Sequence, residues 1–189
     1  MNLELMAYMV LVVAVSAQRV WELGRSKKNT QALLNRGAYE VGAEHYPIMA
    51  ALHTLWLLSC VAEAFVVGEA PSVLFAAVGL TLLCVGQALR IGAIRTLGPR
   101  WTTRIIILPD APVVASGIFK YIRHPNYLGV ILEIAALPMV FGCWRTALGF
   151  SAANGALLWV RIRAEEKALS TENDYAFQFE NRNRFLPKG

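Results

Sequence analysis

Two short stretches of this chain concentrate groups able to hold and position a reacting ligand. The denser one runs Ser116-Gly117-Ile118-Phe119-Lys120-Tyr121-Ile122-Arg123-His124-Pro125-Asn126-Tyr127-Leu128-Gly129. Pro125 biases His124 away from helical geometry and can itself open a helix, so His124 and the free N–H groups of the first turn face one point. Such a helix start favours an anionic group such as a carboxylate, and Gly129 lets a ligand or a second backbone come close. The second stretch, Arg161-Ile162-Arg163-Ala164-Glu165-Glu166, sets Arg161 and Glu165 four apart on one helix face, a cation beside an anion. Each stretch alone also fits a plainer role: Arg123 and His124 as interfacial anchors before a helix start, and Arg161 with Glu165 as a helix-end ion pair worth a few tenths of a kcal/mol.

The elements that must position these groups are apolar. Of 189 residues, 56% are hydrophobic and 16% charged, against roughly 25% charged in a soluble domain; water is not the main solvent. The reading is an all-α polytopic membrane protein with about five transmembrane helices, at residues 3–20, 47–67, 73–94, 127–141 and 144–162. The fourth is short and pairs with the fifth as a hairpin turning at Gly142 and Cys143. Residues 1–189 form one domain, with no linker and no internal repeat.

Charge sets the orientation. The net charge of +5 is spread between apolar segments instead of forming a stripe, which argues against nucleic acid as a partner. Asn2 and Glu4 precede the first apolar run while Arg19, Arg25, Lys27 and Lys28 follow it, so the first helix is expected to be retained, not cleaved as a signal peptide, with its N-terminus outside. Five spans then place Arg90 to Arg123 and everything from Arg161 to Lys188 on the cytoplasmic side of the cell membrane, leaving only Arg145 outside. Between Leu97 and Lys120, Gly98, Pro99, Pro109, Pro112 and Gly117 break any long helix, and Arg104 to Leu108 is a β-branched run that could be extended. Cys60, Cys84 and Cys143 have no metal or redox spacing and are expected to be reduced thiols; no metal is expected.

Taken together, the Ser-Gly-x-aromatic lead-in, Arg-His-Pro-x-Tyr-x-Gly, a short helical hairpin, Arg-x-x-x-Glu-Glu-x-x-Leu and a tail ending in Leu-Pro resemble the isoprenylcysteine carboxyl methyltransferase family, over roughly residues 98–187. Glu44-His45-Tyr46-Pro47 and Leu52-His53-Thr54-Leu55-Trp56 look most like its small bacterial branch that O-methylates long-chain alkylpyrones and alkylresorcinols. The resemblance implies S-adenosylmethionine as cofactor, in a pocket built from about 98–129 and 161–187. His124, Pro125, Asn126, Tyr127 and Gly129 match its holding motif, and Glu165 matches a glutamate that contacts it. Ala111, Pro112, Val113 and Val114 align with a lining backbone stretch; Phe119, standing where the prenylcysteine enzymes tend to have Tyr, and Arg104 join the cofactor set. Arg161 matches the arginine placed at the substrate and the transferring methyl.

These types suit methyl transfer, an in-line displacement that rests on alignment. A carboxylate can accept hydrogen bonds from cofactor hydroxyl or amino groups, and a guanidinium can fix an anionic or enolic oxygen. The implied partner is a lipophilic or lipidated substrate within membrane lipid. Glu44, His45 and His53 are weaker substrate candidates: ionisable groups at the second span suggest function, and His45 could assist deprotonation, while interfacial anchoring explains them equally. Gln87, Glu63 and Glu133 read as interhelical hydrogen-bond partners or snorkelling residues, and Trp21, Trp56, Trp144 and Trp159 as belt or packing residues. Two other activities share part of the pattern: NADPH-dependent membrane sterol reductases carry a similar Arg-His-Pro-Asn-Tyr-Leu-Gly string, and phospholipid N-methylation is a related transfer.

Overall fold

A computed structural model describes residues 2–187; Met1, Lys188 and Gly189, and with them the side assigned to Lys188, lie outside it. Six helices occur among the described residues: α1 (Leu3–Leu34), α2 (His45–Val67), α3 (Val73–Leu97), α4 (Pro125–Met139), α5 (Trp144–Glu172) and α6 (Tyr175–Gln178). The first three are long and apolar enough to cross a membrane, and α4 is a shorter apolar helix. The chain is therefore a mostly helical, multi-pass membrane protein. All five expected segments are helical, but α4 has only 15 residues, and Arg145, Asn154, Arg161 and Arg163 interrupt the apolar character of α5.

Two helices outrun the apolar segments that announced them. The first was expected to stop at residue 20 and the last at 162; α1 continues to Leu34 and α5 to Glu172. Hydropathy marks where hydrocarbon ends, not where helical hydrogen bonding ends, and the continuations are rich in Glu, Lys, Gln, Leu and Ala, all good helix formers.

The mostly helical fold also carries one small sheet. Strands β1 (Tyr39–Val41) and β2 (Ile105–Ile107) form a two-stranded antiparallel sheet, with Tyr39 opposite Ile107 and Val41 opposite Ile105. The β-branched run of β2 was legible as extended; its partner, three residues just after α1, carries no comparable signal. Ile105 and Ile107 are buried, so the sheet ties the connection after α3 to the end of α1 by side-chain packing as well as backbone pairing.

The helical core is held by close approach and by buried polar contacts. A Cβ on Gly129 of α4 would stand 2.7 Å from the Gly86 carbonyl oxygen and 2.5 Å from Arg90 Cγ of α3, so the missing side chain is what lets the two helices touch. Tyr8 stacks on Phe141 with centroids 5.1 Å apart, and the fully buried Trp56 donates to the Ile134 carbonyl at 3.1 Å. Trp21, Trp144 and Trp159 are exposed, as belt residues would be. The α4–α5 hairpin turns at Gly142, whose φ of 75° suits glycine, and Glu63 accepts from the Arg145 and Thr146 amides of the first turn of α5. Cys60, Cys84 and Cys143 are free thiols.

Four charged groups meet inside the bundle. Glu133 of α4, wholly buried, receives Arg19 of α1 at 2.7 Å and Gln87 of α3 at 3.1 Å, with Arg90 Nε 3.5 Å away. Arg90 in turn bonds Glu22 of α1. The two arginines and two glutamates balance in formal charge, which is how such groups are tolerated away from water.

Candidate active site

Arg161 and Glu165 lie on one face of α5 as their spacing requires, but they are not partnered as a simple ion pair. The nearly inaccessible Arg161 sends one guanidinium nitrogen to the Thr103 carbonyl oxygen at 3.0 Å, and its Nε has no partner. Glu165 Oε2 is also buried without a partner. Unpaired groups like these cost free energy in a closed interior, so their persistence side by side points to a ligand. Tyr127 neighbours both.

The adjacent glutamate has a different task. Glu166 Oε1 is 2.9 Å from His124 Nε2, and its two oxygens receive Arg184 at 3.0 and 2.6 Å. Burial would raise the Glu166 carboxyl, but hydrogen bonds from His124 and Arg184, with their charges, outweigh it and hold the group down to about 2. Tyr175 OH lies 3.4 Å from the same His124 nitrogen, its phenol pushed up by burial and by the Glu165 and Glu166 carboxylates. The chain tail closes this corner: the Arg123 and His124 amides donate to the Asn183 and Arg184 carbonyls at 3.0 Å each, and Arg123 Nε donates to the Arg182 carbonyl at 2.6 Å.

A cavity of about 390 Å³ runs from this corner toward the helical bundle, within the roughly 300–1,000 Å³ usual for small-ligand sites. Arg104, Val113, Val114, Phe119, His124, Asn126 and Tyr127 line it, as do Arg161, Glu165 and His53. Helices α1 and α2 add both apolar side chains, among them Val20, Leu23, Met49 and Leu57, and the polar Arg19 and Glu22 to its wall. Asn126 Oδ1, both Asn173 amide atoms, Asn154 Oδ1 and His53 Nε2 are further buried lining atoms without partners.

Six residues of the expected set lie elsewhere. Pro125 is buried at the first position of α4 and shapes its start; Gly129 faces α3, so the second backbone, not a ligand, is what approaches it. Ala111 and Pro112 are outside the cavity wall, although the Pro112 carbonyl accepts from Arg100, which is in it. Glu44 is mostly exposed and His45 packs over Gly42, with 3.4 Å between the two side chains; their neighbour Tyr46 reaches the cavity instead. Arg104 lines the wall while gripping Glu40 at 2.8 and 2.9 Å and lying 4.0 Å over the Tyr46 ring.

Sequence reasoning missed Trp101, Asn154, Asn173, Glu22 and Arg90 as wall residues. Asn154 carried a usable signal, a polar residue inside an apolar helix. Trp101 did not: one buried tryptophan in a loop looks like any other.

Several known proteins resemble this chain over half or more of its length. Residues 77–171 match the isoprenylcysteine carboxyl methyltransferase (ICMT) family. An uncharacterized protein of Bacillus subtilis, YpbQ, is 37% identical over 86% of this chain and 96% of its own length; an uncharacterized Haemophilus influenzae protein is 30% identical over 85% and 94%. The protein-S-isoprenylcysteine O-methyltransferase of Schizosaccharomyces pombe is 29% identical over 58% of this chain and 47% of that protein. With its motifs gathered around one cavity and half of its length within the family match, the chain belongs to the isoprenylcysteine carboxyl methyltransferase family.

Proposed function

We propose that the protein is an S-adenosylmethionine-dependent O-methyltransferase whose acceptor is a lipophilic molecule with a phenol, enol or carboxylate head and a long apolar tail. The observation that carries this is the pair of buried side-chain atoms without partners, Arg161 Nε and Glu165 Oε2, on the wall of a cavity that also takes in apolar side chains of α1 and α2.

The residues present fit the cofactor. Glu165 offers a carboxylate oxygen for hydroxyl or ammonium donors, Asn126 and Asn173 offer amide groups, and Phe119, Tyr175 and Phe179 supply flat apolar surface. S-adenosylmethionine, when bound, supplies an electrophilic methyl on a sulfonium. Glu166 orients His124, and the tail shields the corner from water. Arg161 stabilises negative charge on the attacking oxygen, holding it in line instead of letting it wander. His53 and Asn154, which neighbour one another on the same wall, suit a hydroxyl-bearing head and so favour the alkylpyrone or alkylresorcinol type of acceptor over a prenylcysteine.

In this reading the spans number five, the cofactor corner and the C-terminus face the cytoplasm, and the acceptor enters sideways from the inner leaflet. The tail adds about 0.8 kcal/mol per buried CH₂. Calorimetric titration of the purified protein with S-adenosylhomocysteine and, separately, with NADPH tests the central point. Binding of the former is expected; tight NADPH binding with no response to S-adenosylhomocysteine overturns the proposal and selects the reductase chemistry.

A further inference from the structure

The inner half of α1 lies outside both the apolar segment and the family match, yet two of its side chains reach the loop beside Arg161 and a third reaches α3. Asn29 donates to the Trp101 carbonyl at 2.7 Å and to the Gly98 carbonyl at 3.2 Å. Ser26 Oγ receives the Thr103 amide at 2.8 Å and lies 2.9 Å from the Thr103 hydroxyl. Glu22 bonds Arg90. The Ser26 contact differs from the others in what it leads to, because the Thr103 carbonyl is the acceptor that holds the Arg161 guanidinium at 3.0 Å.

That guanidinium is only 2% exposed; the Thr103 carbonyl is the backbone acceptor that holds it, with the Tyr127 hydroxyl beside it. Its direction therefore depends on where one loop carbonyl stands. Residues 102–104 belong to no helix or strand; the Trp101 amide bonds the Gly98 carbonyl at 3.2 Å and the Thr102 hydroxyl the Arg104 carbonyl at 2.6 Å, while the Thr103 amide between them is held by a side chain from another element. Ser26, itself 3% exposed, does this with both groups of Thr103.

We propose that Ser26 is a positioning residue for methyl transfer: by pinning Thr103 it sets the direction in which Arg161 presents its guanidinium to the acceptor oxygen. This rests on the methyl-transfer reading for its consequence in catalysis, but the contact chain is independent of the acceptor. Cofactor binding, which uses Glu165 and the α4 start, does not pass through Ser26.

The test compares the parent protein with Ser26→Ala and Ser26→Thr in lipid vesicles loaded with S-adenosylhomocysteine. Phenylglyoxal labelling of the Arg161 peptide, followed by mass spectrometry, is expected to run about five- to tenfold faster in Ser26→Ala, the factor that one lost hydrogen bond carries. Ser26→Thr, which keeps the hydroxyl, restores the parent rate if its added methyl is accommodated. Affinity for S-adenosylhomocysteine stays at the parent value in Ser26→Ala. Unchanged Arg161 labelling in Ser26→Ala, whatever the threonine variant does, overturns the inference.

Turnover supplies the second arm, with pentadecylresorcinol and farnesylcysteine as probes and labelled S-adenosylmethionine as donor. Ser26→Ala lowers turnover in the parent but adds little in an Arg161→Lys background, since both changes act on one guanidinium. Fully additive losses overturn the positioning role. A parent protein that methylates neither probe counts against the proposed acceptors, while the labelling result still decides whether Ser26 sets Arg161.

Discussion

The family-matched region from residue 77 to 171 and the region before it contribute to the cavity in different ways. The later region supplies most of the wall groups with unpartnered buried atoms, Arg161, Glu165, Asn126 and Asn154, and the Glu166–His124 pair, while His53 and Asn173 come from either side of it. The earlier region supplies the apolar wall from α1 and α2, the β1 partner of β2, and the side chains that grip the 98–104 loop. Reactive groups are local in sequence and recognisable by type. Positioning is spread over contacts between residues sixty to eighty apart, such as Ser26 to Thr103 and Glu40 to Arg104, and leaves almost no local trace.

The sharpest way to break the division is at a wholly buried residue through which the two regions depend on each other by charge. Glu133→Ala strands Arg19 and Arg90 in the bundle, and removing one partner of a buried pair costs about 3–5 kcal/mol. Thermal unfolding in detergent should show the loss, and Arg19→Met with Glu133→Leu should be the milder change. Equal destabilisation in both would mean the charges are not mutually dependent.

Within the family-matched region, Glu165→Gln is expected to weaken S-adenosylhomocysteine binding by about 10- to 100-fold, as for a hydrogen bond to a charged group. Arg161→Lys should leave that affinity alone and slow transfer by a similar factor, because lysine loses the planar fork. Equal loss of affinity in both variants would make Arg161 merely structural. Gly129→Ala separates packing from ligand contact in the same way. Overpacking against Gly86 and Arg90 should cost about 1–3 kcal/mol in the melting of free and loaded protein alike, with S-adenosylhomocysteine affinity intact.

The smallest expected effect concerns pH. The Glu166 carboxyl titrates near 2 in the folded protein against an ordinary 4.5, so its contribution to stability is complete above about pH 4.5 and is lost as pH falls toward 2. Partial exposure reduces this to the order of 1 kcal/mol. Unfolding midpoints measured across that window should fall less steeply for Glu166→Gln than for the parent.

Most of the helical layout and the central pair were legible because they depend on composition and short spacing. Apolar runs of sufficient length must be buried or face lipid, and an arginine four residues before a glutamate must share its face. What escaped depended on partners far along the chain. The helix ends at Leu34 and Glu172 are polar segments whose side chains bond loops and tail; Glu44 and His45 looked intramembrane by position, but the turn at Gly42 carries them past the cavity and leaves Tyr46 facing it. Gly129 was rightly read as a point of close approach, and only the structure could say what approaches. Glu166, second of an adjacent pair, gave no sign that it rather than Glu165 would hold His124.

The ion cluster in the bundle also has a consequence for how the protein is made. Arg19 and its partner Glu133 are separated by 114 positions, which at about 5–20 residues per second takes roughly 6–23 s to synthesise. During that interval Glu22, one turn further along α1 and 3.5 Å from Arg19 in the folded protein, is its nearest counter-charge, and a cation left unpaired at helix centre would cost about 2.5–3.5 kcal/mol, less nearer the surface. The 2.7 Å contact between Arg19 and Glu133 can form only once α4 has been made, so until then the cation has its neighbour Glu22 and the headgroups for company.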